Sequence, residues 1–155
     1  MSELKIVPTG YLDPVARTLV SAAMADLSDR YGGTGDDTPV DPAQFDPPRG
    51  AFLVAWLDGE PVACGGWRTF HLDGDAAEIK RMFTLASARR RGVAMAVLRA
   101  VEESAKAAGR TRAILETGGL QPEAIALYER AGYRLIDNFG YYKDEPDVRS
   151  YGRDL

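Results

Sequence analysis

The sequence holds one cysteine, Cys64, and one histidine, His71. A lone thiol has no partner for an internal disulfide, and such usage fits a reducing compartment. One cysteine and one histidine do not make a zinc cluster, so no metal is expected. No stretch approaches the run of about 18 apolar residues that a membrane-crossing helix needs, so no membrane partner is expected either. The opening MSELKIVPTGYLDP lacks the apolar core of a secretory signal. A cytoplasmic location is the expectation. Positive charge is also in short supply. The net charge of -4 argues against a general nucleic-acid binder, whose domains are usually basic.

What is present suits a single globular domain. Apolar residues make up 45% and charged residues 27% of 155 positions, so residues 1–155 are expected to form one domain. A chain of this size buries roughly 70% of its unfolded surface and needs no cross-link to hold it.

The most informative stretch is Glu78 to Ala94, EIKRMFTLASARRRGVA. Charged and apolar side chains alternate from Glu78 to Lys80 in the stretch up to Met82, the period of a half-buried strand. Small and basic residues follow to Gly92. From Val93 the apolar residues Val97, Leu98, Val101 and Ala105 recur at helical spacing. Arg89 to Ala94 is therefore the start of a helix. Its first N–H groups have no partner within the helix, and the dipole makes that end partly positive. Gly92 lets a ligand approach the backbone. Three arginines stand beside the opening. A polyanion such as a pyrophosphate would fit there. A solvated basic loop that merely caps the helix is the plainer alternative.

The rest of the chain alternates strands and helices. Leu4–Val7 reads as a short strand. Asp13 is an N-cap and Pro14 the first residue of a helix running to about Tyr31. Residues 32–50 form a long glycine- and proline-containing loop. Tyr31, Asp36, Asp37 and Phe45 lie in or beside it. Ala51–Leu57 and Pro61–Thr69 are strands joined by an Asp58-Gly59 turn. Gly65-Gly66 suggests a bulge or a close backbone approach. Cys64 reads most simply as a small core residue. Ala76–Leu85 should run antiparallel to the strand before it. Arg112–Thr117 should lie parallel to Ala76–Leu85, because a right-handed helical crossover joins them. Gln121-Pro122 opens another helix, which Gly132 ends. Tyr133–Ile136 and Val148–Arg153 are the last strands.

Arg89-Arg90-Arg91-Gly92-Val93-Ala94 resembles the Gln/Arg-x-x-Gly-x-Gly/Ala signature of the GNAT superfamily of acyl-CoA-dependent N-acetyltransferases. The preceding strand, EIKRMFTL, and the later LETGGLQPEAIALYERAGY are similar to the same superfamily, in the same order. The resemblance covers about residues 51–140. It implies an α/β fold with a mostly antiparallel sheet of about seven strands. A parallel pair in that sheet splays into a V, and about four helices flank it. It also implies acetyl-CoA as co-substrate and direct transfer to a primary amine in a ternary complex. A small-molecule acceptor is the first expectation. A protein or peptide amine is the alternative, and a non-catalytic acyl-CoA-binding module a third.

The resemblance distributes roles. Arg89, Arg90, Arg91, Gly92, Val93 and Ala94 would hold the pyrophosphate. The backbone of Met82, Phe83 and Thr84 would pair with the pantetheine arm as an added strand. Gln121 stands where many relatives carry asparagine, and its amide would reach the donor. Tyr128, within LYE and followed by Gly132-Tyr133, would protonate the leaving thiolate and touch the donor. Glu78 would be the general base, at the offset of the glutamate in the histone-acetyltransferase branch. It could instead bind the acceptor ammonium. Glu116 would stand at the V, on the acceptor side, and Tyr31, Asp36, Asp37 and Phe45, in or beside the 32–50 loop, would contact the acceptor or be ordinary loop residues. Aromatics near the C-terminus offer a surface for a homodimer.

Overall fold

The structure is a computed structural model and describes residues 2–155. Its sheet grows from local turn chemistry. Strands β2 (Gly50–Leu57) and β3 (Glu60–His71) meet at Asp58-Gly59, where both residues have positive φ, 51° and 84°. That is the backbone a tight two-residue hairpin requires. A second turn, with Asp73 at φ 50° and Gly74 at 110°, returns the chain as β4 (Asp75–Thr84). Strand β1 (Leu4–Pro8) pairs antiparallel along the outer edge of β2.

Helix α1 (Pro14–Tyr31) starts as the sequence predicts: the Asp13 carboxylate accepts the Val15 N–H. Helix α2 (Val93–Ala107) crosses back over the sheet, and β5 (Arg112–Gly118) then lies parallel to β4. Helix α3 (Pro122–Arg130) precedes β6 (Arg134–Ile136) and β7 (Val148–Asp154). The seven strands lie in the order β1-β2-β3-β4-β5-β7-β6. Only β4 and β5 are parallel neighbours. The expected mixed sheet is therefore present, with three α-helices among the described residues rather than about four. Between α1 and β2 the chain makes only a short 3₁₀ turn, Pro42–Phe45. Pro42, Pro47 and Pro48 remove N–H donors and limit backbone freedom there, so no further helix propagates.

Two apolar layers enclose the sheet. On one face Trp67, Ile79, Val97, Leu98, Val101 and Leu115 pack together with α2 and α3. On the other, Leu19 of α1 packs with Phe45, Phe52, Val54 and Cys64. Burial pushes the Cys64 thiol up to about 12, so it stays a protonated core residue.

Two irregularities shape the middle of the sheet. β4 and β5 pair only at Ala77–Ala113 and Glu78–Ile114; past that point no pairing joins them. Next to this opening, β4 carries an extra residue. Cys64 opposes Phe83 and Gly66 opposes Lys80, so Arg81 and Met82 share the place opposite Gly65. Arg81 has φ 61°. The sequence placed the irregularity at Gly65-Gly66, and the structure puts the added residue on the partner strand. Gly65 is glycine for a packing reason: a Cβ there would lie 2.3 Å from Met82 Sδ.

Candidate active site

The splay between β4 and β5 opens on both faces of the sheet. On the α2/α3 side lies a cavity of about 700 Å³. Thr84, Arg89, Arg90, Gly92, Val93 and Ala94 line one end of it, and Gln121 and Tyr128 the other. Gly92 is the N-cap of α2 in a left-handed conformation, φ 78°, and no side chain caps the helix. A Cβ there would meet nothing within 4 Å, so the approach to the helix mouth is open. Arg89 Nε donates to the Thr84 carbonyl at 3.2 Å, which ties the loop to the end of β4. Arg91 departs from expectation. Its guanidinium turns away to donate to Ser2 Oγ at 2.8 Å, and it does not line the cavity.

A second cavity, about 340 Å³, continues the first toward α1. The two share Asp26, Met82, Phe83, Gln121, Ala124 and Tyr128 as walls. Tyr128 is 6% exposed and meets Tyr133 edge-on at 5.7 Å. Burial pushes its phenol above the ordinary value, so it is held as a neutral O–H.

Tyr31, Asp36 and Glu116, three of the residues expected at the acceptor, line the second cavity. Asp36 is the hub. Its Oδ2 accepts from Lys80 Nζ at 2.9 Å and Arg81 Nη1 at 2.6 Å. Its Oδ1 accepts from the Thr38 N–H and the Tyr142 hydroxyl, each at 2.9 Å. Burial alone would raise its carboxyl. The Lys80 charge and the Thr38 and Lys80 hydrogen bonds outweigh that and hold it well below the usual carboxylate range. Glu116 differs. Its Oε2 accepts the Tyr142 N–H at 3.1 Å, while its Oε1 is buried without a partner. Burial raises its carboxyl, against the pull of the Tyr142 N–H and Lys80.

Three expected residues lie elsewhere. Glu78 is 1% exposed and does not line either cavity. Its Oε1 accepts Arg68 Nε at 2.8 Å, and Arg68 Nη1 reaches the Pro39 carbonyl and Gln44 Oε1. Its carboxylate thus anchors the 39–44 segment to the sheet. Phe45 is 2% exposed and stacks on Tyr11 at 4.7 Å, so it is part of the core beneath the loop. Asp37 pairs with Thr34 through its side chain, and only its N–H, donated to Tyr142 Oη at 2.7 Å, faces the site network. Lys80 and Arg81 were not anticipated. Lys80 shares the face of Glu78 by strand alternation, a signal the sequence did contain. Arg81 reaches that face only through the bulge.

Comparison with known proteins agrees with this geometry. The model of the acetyltransferase (GNAT) family matches residues 20–133. An IAA acetyltransferase of Azospirillum brasilense is 38% identical over 95 residues, which are 61% of this chain and 61% of that protein. The match thus spans less than two thirds of that relative. An uncharacterized N-acetyltransferase of Escherichia coli, YjgM, is 32% identical over 127 residues, 76% of each chain. A GNAT family acetyltransferase from Elizabethkingia anophelis, solved with acetyl-CoA bound, superposes with a TM-score of 0.70. It covers 98% of both chains at 18% identity, a likeness of fold.

Proposed function

The chain belongs to the GNAT acetyltransferase family, and on that premise we propose that it moves the acetyl group of acetyl-CoA to the primary amine of a small molecule. One observation carries this reading. A cavity under an open helix mouth and a cavity with an acidic lining meet at the same residues, Met82, Phe83 and Tyr128. Two substrates entering from opposite faces of the sheet would meet there.

The residues divide the work. Backbone N–H groups at Gly92 to Ala94, with Arg89 and Arg90 beside them, hold the diphosphate of the donor. The edge of β4 past the bulge offers its backbone to the extended arm. The N–H of Met82 or its neighbour polarises the thioester carbonyl. The donor itself supplies an activated acetyl group. Glu116, with its unpartnered Oε1, receives the incoming ammonium and takes its proton. This replaces Glu78 in that role, because the Glu78 carboxylate is already held by Arg68. Tyr128 gives its proton to the departing thiolate.

The lining of the smaller cavity supports a cationic acceptor. Five acids, Asp26, Asp36, Glu116, Glu145 and Asp147, line it against two cations, Lys80 and Arg81, both of which are paired to Asp36. Its volume of about 340 Å³ lies near the lower end for small-ligand sites, which run from about 300 to 1,000 Å³. Tyr142 closes one wall by bonding to both Asp36 and the Asp37 N–H. These features favour a small amine over a peptide. The test is an amine panel with acetyl-CoA, followed by release of free thiol. Turnover with small amines is expected. Turnover only with lysine-bearing peptides would replace the acceptor assignment. No thiol release with any amine would overturn the enzymatic reading.

A further inference from the structure

Buried polar atoms in folded proteins have hydrogen-bond partners almost without exception, and each exception calls for a reason. Among the described residues three buried side-chain atoms have none: Arg110 Nε, Glu116 Oε1 and Thr117 Oγ1. Arg110 lies away from the cleft, its guanidinium 5.6 Å over the Trp67 ring. The other two are consecutive on β5, and both residues line the smaller cavity, not the larger, beside Met82 and Tyr128 where the two cavities meet.

Glu116 and Thr117 face opposite ways, because strand side chains alternate. Ala113 and Leu115 belong to the core layer that contains Val97, Leu127 and Tyr128. Thr117 continues their row, on the side of α3. It is 7% exposed. Its level in the sheet follows from the parallel register. Ile114 stands opposite Glu78, so three residues on, Thr117 comes abreast of Arg81, the bulged residue. At that level β4 and β5 no longer pair, and the gap is walled by Met82 and Tyr128. The Tyr128 hydroxyl has no protein partner either among the described hydrogen bonds, and none joins it to Thr117.

A valine would fill the place of Thr117 with the same shape. A threonine whose hydroxyl bonds nothing makes the unliganded protein less stable than that valine would. The hydroxyl gains a reason only when something enters the splay. We propose that Thr117 is a donor-binding residue, its Oγ1 hydrogen-bonding the acyl donor at the reacting end of the pantetheine arm, beside Tyr128. This rests on the acetyl-CoA reading above and adds to it a residue on the strand across the gap from Met82. The plainer alternative is a hydroxyl with a purely structural role, and it predicts a different outcome.

The experiment uses the full chain as wild type, Thr117→Val and Thr117→Ser. Acetyl-CoA is titrated by calorimetry, and each protein is melted without ligand. The valine variant should bind acetyl-CoA about two- to tenfold more weakly, the worth of one ordinary hydrogen bond. It should melt at or above the wild-type temperature without ligand. The serine variant should restore the affinity. Wild-type affinity in Thr117→Val overturns the proposal, whether or not the variant melts lower. If the wild type binds acetyl-CoA and the valine variant binds equally, only the Thr117 assignment falls. If the wild type shows no binding at millimolar acetyl-CoA, the donor reading falls and takes Thr117 with it.

Discussion

Replacing Asp36 with asparagine keeps the shape of the side chain and removes one charge. The consequences are unusually concentrated, because a single oxygen, Oδ2, faces both Lys80 and Arg81. The side chains of Asp36, Lys80 and Arg81 are only 13%, 9% and 6% exposed. Two cations would be left near each other with little water and no counter-charge at that point. Removing one partner of a buried ion pair costs about 3–5 kcal/mol. Arg81 adds to this, since its left-handed backbone is strained by about 1–2 kcal/mol and the bond to Asp36 helps hold it. In a domain of this size about 1 kcal/mol shifts the melting point by roughly 2–4 °C. Asp36→Asn should therefore lower it by about 6–20 °C at neutral pH. Urea unfolding followed by circular dichroism measures the free energy directly. The pH dependence gives an independent check. The folded-state carboxyl of Asp36 lies below its ordinary value of about 4, held there by Lys80 and Thr38 against burial. Its contribution is fully present above that ordinary value and is lost as pH falls through the depressed one. Wild type and variant should thus differ most near neutrality and converge in acid. Adding Lys80→Met to Asp36→Asn should recover part of the loss. A loss under about 1 kcal/mol at neutral pH, below the usual range for a broken buried pair, would refute the view of Asp36 as the charge centre of this wall.

Tyr128→Phe should lower kcat by roughly two to four orders of magnitude while leaving acetyl-CoA affinity within about twofold; steady-state kinetics and calorimetry separate the two, and an unchanged kcat removes the acid role. Glu116→Gln should lower turnover and flatten the pH–rate profile. The wild-type rate should rise with pH through a carboxyl that burial has raised, and an unaltered profile in the variant would leave the proton acceptor elsewhere. Gly65→Ala places a methyl 2.3 Å from Met82 Sδ, so it should cost about 1–3 kcal/mol of stability by overpacking. It should also lower turnover by moving Met82; a stable variant with full activity would show that this part of the bulge yields freely.

The helix mouth proposed for the donor was legible because its information is local. A glycine with arginines before it and an apolar helical period after it defines such a mouth within six residues. The smaller cavity, proposed for the acceptor, is assembled from segments far apart in the chain. Asp36 meets Lys80 and Tyr142 across separations of 44 and 106 residues, and no periodicity in the sequence announces such a meeting. Phe45 shows how loop aromatics mislead: in a string it resembles a contact residue, while in space it completes a stack with Tyr11. Glu78 is a case where the signal was there. The Asp73-Gly74 turn sets His71 opposite Asp75, and counting back along both strands sets Arg68 opposite Glu78. Cross-strand opposite charges pair, and a carboxylate already paired to a buried arginine is poorly placed to serve as a base. The bulge was harder. Gly65-Gly66 announced that something comes close, but not which strand holds the extra residue. An arginine is an improbable bulge residue on propensity alone, because a non-glycine residue at positive φ is uncommon. Arg81 occupies it where a buried carboxylate holds its side chain.

The bulge, the splay and the unpartnered atoms share one level of the sheet, and a single requirement explains why. Two parallel strands that stop pairing leave backbone donors and acceptors facing a gap, and buried backbone groups must find partners. Had β4 and β5 stayed in register past Glu78 and Ile114, Arg81 would have paired with Thr117 across the sheet and no cleft would exist. The extra residue on β4 breaks the β3–β4 register between Lys80 and Phe83, beside the place where β4 leaves β5. It re-aims Met82 toward Gly65 and sends Arg81 to Asp36. The fold thus makes room at the cost of unmet polar groups on both sides of the gap. On the proposed reading an extended substrate arm would meet those groups as a strand does, and an ammonium would meet Glu116 from the opposite face. Binding and sheet completion would then be the same event, which would place the chemistry at this level of the sheet and not at the better-packed ends of the strands.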